Sequence, residues 1–93
     1  MIQEWRERID CLDRQILTLM NRRVEISCRI AQAKGAAGIP LRCQQREDEV
    51  IEGVLRANHG PLDVGSVESI FRHIMASSRE LSGCQIARGG GIG

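Results

Sequence analysis

Residues 17–30, "LTLMNRRVEISCRI", carry the reading that decides the fold. Upstream of this stretch Trp5, Ile9, Leu12, Ile16 and Leu19 recur at alternating steps of four and three, and Ile26 and Ile30 resume the pattern within it. That spacing is one face of an amphipathic helix. The slot between Leu19 and Ile26 belongs to Arg23. A guanidinium in the middle of a core stripe needs a reason.

Working outward, the periodic segment runs from about Ile2 to Lys34 without a Pro or Gly, and then meets "GAAGIP", with Gly35 as its expected stop. Around 33 residues of helix are ~50 Å long. A globule of this chain length is only ~30 Å across. Either the helix kinks inside a monomeric bundle, or a second chain covers the excess. The 3-4 spacing is also the seam of paired helices, and it favours a homodimer with the long helices side by side.

A second helix fits Cys43 to Ala57, with Val50, Ile51, Val54 and Leu55 on one side. "NHGPLD" makes a turn whose Asp63 is a natural N-cap. A third helix fits Val64 to Ser82, with Val67, Phe71, Ile74 and Met75 on its apolar face. Strand signals are absent, so the fold class is all-α, with one long and two shorter helices. Residues 1–83 read as one helical domain. Residues 84–93 end in "ARGGGIG", which lacks the G-K-[ST] of a phosphate loop and is expected to be disordered.

Composition narrows the function. The chain has 93 residues, 42% hydrophobic and 27% charged, with 13 basic and 12 acidic side chains for a net charge of +1. Such a balance, with one Phe, one Trp and no Tyr, argues against nucleic acid as a partner. No apolar run suits a membrane span, and the N-terminus has no apolar signal core, so a cytoplasmic protein is expected. Cys11, Cys28, Cys43 and Cys84 form no C-x-x-C pair and are expected to be reduced thiols, with no metal site and no cofactor.

On a helical wheel Arg23 and Lys34 both fall within roughly 20° of the centre of the first helix's stripe. Glu47 sits in the middle of the arc made by Val50, Ile51 and Val54, and Ser78 inside that of Val67, Phe71 and Ile74, with Ser82 on the same side. Arg6 and Arg46 lie at the stripe edges. Each helix therefore aims a polar group inward. Buried ions are costly unless paired, and two cations with one carboxylate still need a counter-charge. A small dianionic ligand supplies it. Taken singly, Arg23 could be a register device and Lys34 a complement to the helix dipole; their convergence favours a site. No Ser-His-Asp or Cys-His set and no inward pair of carboxylates can be assembled. The remaining chemistry is positioning and electrostatic stabilisation.

With these residues in place, the chain resembles the all-α (type II) class of chorismate mutase. The resemblance is carried by "WRERIDCLDRQILTLMNRRVEISCRIAQAK", "REDEVIEGVL" and "GPLDVGSVESIFRHIMASSREL", together about residues 5 to 81. It implies an intertwined helical homodimer with shared active sites that converts chorismate to prephenate, a Claisen rearrangement on the route to Phe and Tyr. It further implies that Arg23, and Arg6 from the other subunit, bind substrate carboxylates. Lys34 would reach a carboxylate and the ether oxygen, Glu47 would accept from the ring hydroxyl, Ser78 would bind a carboxylate, and Arg46 would support them. Two positions depart from the family pattern: Cys43 stands where an Asp is usual, and Ser82 where a longer amide or carboxylic side chain donates to the ether oxygen. They keep two alternatives open: an isochorismate–pyruvate lyase on the same scaffold, and a dimerisation or ligand-sensing module whose chemistry has lapsed.

Overall fold

In a computed structural model the N-terminal pattern is realised as a single unbroken helix, α1 (Ile2–Ala36), followed by α2 (Gln44–Ala57) and α3 (Val64–Ile92). Side chains are described through Gly83. The tail expected to be disordered, residues 84–93, has its backbone in α3 as far as Ile92, and its side chains lie outside the described residues. The fold is all-α, as the spacing requires. Cys43 is the N-cap of α2 rather than its first residue, and α3 continues past Ser82, the end expected from sequence.

The stop of α1 falls at Gly38 rather than at Gly35. The Gly38 N–H donates to the Gly35 carbonyl at 3.2 Å and the Ile39 N–H to the Lys34 carbonyl at 2.8 Å. This pair of backward bonds needs a left-handed residue at the turn. Gly38 supplies it with φ of 72°, a conformation that costs a residue with a Cβ roughly 1–2 kcal/mol. Gly35 stays helical, and Lys34 is thereby kept in the last turn of a regular helix.

The turn between α2 and α3 is clamped by Asn58, whose amide donates to the Leu62 carbonyl at 2.8 Å while its oxygen accepts from the Gly60 N–H at 3.1 Å. Asp63 then caps α3 as expected: Oδ2 accepts from the Ser66 N–H at 3.2 Å and Oδ1 from the Ser66 hydroxyl at 2.5 Å. These bonds, the hydroxyl's first, favour the ionised carboxylate and hold Asp63 below its ordinary range.

α3 packs against both α1 and α2. The buried apolar residues are Cys28 and Ala31 on α1, Ile51 on α2, and Val67 and Met75 on α3. The core thus sits against the C-terminal third of α1 alone. The first 22 residues of the chain are all exposed. Trp5, Ile9, Leu12, Ile16 and Leu19, the stripe that announces the helix, are 52–61% exposed in the single chain. The chain measures 53 × 29 × 15 Å, its long dimension set by α1. Among the described residues no helix is long and apolar enough to cross a membrane.

Candidate active site

The polar residues that interrupt the apolar faces meet in one cavity of about 300 Å³, at the lower end of the range for small-molecule sites. α1 contributes Arg23, Ser27, Ile30 and Lys34, successive residues of one helical face. Leu41 and Cys43 close the side between α1 and α2, and the first turns of α2 add Arg46, Glu47 and Val50. The remaining wall is α3, with Met75, Ser78, Arg79 and Ser82. Seven of the eight residues singled out in the sequence therefore share this cavity.

Arg6 is the exception. It lies on the exposed first turns of α1, seventeen residues and roughly 25 Å of helix before Arg23. Within one chain it does not join the site.

Arg23 is half-buried and its Nη1 donates to the Ser78 hydroxyl at 3.1 Å. Ser78 and Ser82 are buried. The Ser82 hydroxyl donates to the Ser78 carbonyl at 2.6 Å and lies 3.6 Å from the Cys28 sulfur. Its proton is committed to the backbone of α3, which leaves it a poor donor to a ligand. The half-buried Lys34 ammonium meets the Leu41 carbonyl at 3.4 Å, a long contact that a better acceptor displaces.

Glu47 is the one carboxylate of the lining, and its side chain is 15% exposed. It pairs through Oε2 with Arg79 of α3, and Oε1 lies 3.6 Å from Arg42. Arg46, 70% exposed, stands at the rim and pairs with Glu49 at 3.5 Å. Cys43 is an exposed free thiol and makes no side-chain cap bond to α2.

Sequence reasoning misses Arg79 because it follows Ser78 directly, 100° around the helix and off the stripe centre. The only signal is indirect, an inward Glu47 that needs a cation. With Arg79 included, the lining carries four cations (Arg23, Lys34, Arg46 and Arg79) against one carboxylate. Arg23 and Lys34, half-buried and paired with no carboxylate among the described residues, leave an excess of positive charge that suits a ligand with more than one anionic group. Among the described residues no three His, Cys, Asp or Glu side chains lie together as metal ligands would.

Comparison with known proteins agrees with this geometry. The family model described as "Chorismate mutase type II" matches residues 5–83, which hold every described residue of the cavity lining. The chain belongs to the chorismate mutase type II family. It is 32% identical over 84 residues to a bifunctional chorismate mutase/prephenate dehydratase of Aquifex aeolicus, covering 86% of this chain and 23% of that protein. Against the bifunctional chorismate mutase/prephenate dehydratase of Pseudomonas aeruginosa it is 36% identical over 78 residues, covering 77% and 21%. The chain thus spans less than a quarter of the length of these relatives. Among solved structures it is similar to a chorismate mutase (form II) from Thermus thermophilus, with a TM-score of 0.88, 27% identity, and coverage of 90% of this chain and 96% of that one. The family match thus takes in α2 and all but the ends of α1 and α3.

Proposed function

We propose that the chain is a chorismate mutase, rearranging chorismate to prephenate on the route to Phe and Tyr, and that it works as a homodimer in the cytoplasm. The observation that carries the activity is the single cavity in which three helices gather Arg23, Lys34, Glu47 and Ser78. The dimer rests on the exposed stripe from Trp5 to Leu19: a partner's α1 would bury it and bring the second chain's copy of Arg6 toward the site.

The reaction is intramolecular. One C–O bond breaks as one C–C bond forms, no proton is transferred, and negative charge gathers on the ether oxygen. A protein accelerates such a step by holding the compact reactive conformer and by placing donors where the charge develops. Arg23 and Ser78, already hydrogen-bonded to each other, form a cradle for one carboxylate. Arg6 of the second chain serves the other. Lys34 pairs with no carboxylate among the described residues and would turn from the Leu41 carbonyl to the ether oxygen. Glu47 accepts from the ring hydroxyl. Arg46 reinforces the positive rim, and Cys43 borders the substrate at the α2 N-terminus. Ser82, committed to the backbone, leaves Lys34 as the main donor to the ether oxygen.

The same cradle of cations suits one second reading, an isochorismate–pyruvate lyase, whose substrate carries the same two carboxylates and enolpyruvyl ether. Both substrates are assayed with the purified protein. Saturable loss of chorismate absorbance, with prephenate as product and no pyruvate or salicylate from isochorismate, is the expected result. Pyruvate and salicylate without prephenate would establish the lyase, and inertness toward both would leave a scaffold without chemistry.

A further inference from the structure

We propose that Arg79 is a positioning residue that fixes the Glu47 carboxylate as an acceptor and keeps the substrate-binding cations free. The proposal rests on the chorismate mutase reading, in which Glu47 meets the ring hydroxyl.

Glu47 shares its cavity with three further cations, Arg23, Lys34 and Arg46. A carboxylate left unpaired among them would collapse onto one, since the terminal torsion of Glu is broad and turns easily. Any such pairing removes a cation that the substrate's carboxylates need. Arg79 prevents it by taking Oε2 from the α3 side. Its own side chain is 32% exposed, so the pair is sheltered on both sides, and charge-assisted bonds in such a setting are short and directional. Arg42 approaches the other oxygen but is 60% exposed, where solvent screens it.

The pair also joins α2 to α3 across the cavity, linking residues 32 apart in sequence. It therefore sets the carboxylate relative to Ser78, the adjacent residue on α3. An ionised carboxylate only accepts hydrogen bonds, and with one oxygen held by Arg79 it has lone pairs left for a hydroxyl. The consequence is selectivity for a substrate that carries a donor at this point of its ring.

The test is Arg79→Met, which keeps the apolar stem, assayed beside wild type with chorismate and with an analogue lacking the ring hydroxyl. kcat/KM for chorismate should fall roughly ten- to hundredfold, the usual cost of a displaced positioning contact. The analogue should lose less than about threefold, and Arg79→Lys should recover most of the chorismate loss. In a Glu47→Gln background Arg79→Met should have little further effect, because the two residues act as one unit. Arg79→Gln, which keeps a donor without the charge, gives the same comparison if Arg79→Met fails to fold. A variant within about threefold of wild type on chorismate overturns the proposal, as does an equal loss on both substrates or a loss undiminished without Glu47. Those results leave the mutase reading standing. A wild-type protein with no turnover of chorismate overturns both.

Discussion

Lys34→Ala should lower kcat for chorismate by two to three orders of magnitude while the helical content and melting temperature stay close to wild type. The size follows from the role: deleting one donor aimed at a developing oxyanion in a water-poor site costs about 3–4 kcal/mol of barrier. Small structural damage is expected because, among the described residues, the ammonium makes only one long contact, 3.4 Å to the Leu41 carbonyl. The turn that ends α1 is held instead by the backbone bonds of Gly38 and Ile39. A lysine serving only the helix dipole would be worth about 0.3–1 kcal/mol of stability and nothing in turnover. The two accounts separate in one experiment. Steady-state kinetics beside thermal denaturation should show kcat collapsing at nearly constant stability, and unchanged kcat with a lowered melting temperature would return Lys34 to a structural role.

Arg23→Met should abolish measurable turnover without dissociating the proposed dimer, and should leave the chain as stable as wild type or more so. Arg23 is half-buried against the Ser78 hydroxyl and pairs with no carboxylate among the described residues. A cation in such a slot is retained at a cost that an apolar side chain of similar length removes. If Arg23 were a register device for paired helices, the opposite pattern would appear, with association weakened and turnover preserved. Light scattering and kinetics on the same preparation distinguish the two.

Much of this architecture is legible in the sequence because period and capping are local. The four-three recurrence from Trp5 to Ile30 specifies α1, and Asp63 announces the start of α3 by a bond three residues long. The glycine that stops α1 lies three residues beyond the expected one for an equally local reason: both Gly35 and Gly38 are candidates, and only the left-handed φ at Gly38 decides between them. Arg23, Lys34, Glu47 and Ser78 are legible as candidate site residues, and share one cavity, because each interrupts an apolar face at its centre. Arg79 is not, because it stands at the edge of its stripe and acquires meaning only when α2 brings Glu47 against α3. By residue type Ser82 is a short donor to the ligand. Packing instead binds its hydroxyl to the Ser78 carbonyl, a back-bond within α3 that residue type does not announce. The stripe itself is apolar and exposed in the single chain, which is the ground for the proposed dimer.

The central claim is that the polar slots of the core belong to active sites built by two chains. It is tested most directly by mixing two inactive variants, Arg6→Ala and Lys34→Ala, under conditions that allow subunits to exchange. Each homodimer lacks the same group in both sites. In a mixed dimer one site carries both defects and the other carries none, so random reassortment of equal amounts should restore about one quarter of wild-type activity. Activity that stays at the sum of the two separate variants would contradict the account and place the working site, if there is one, within a single chain.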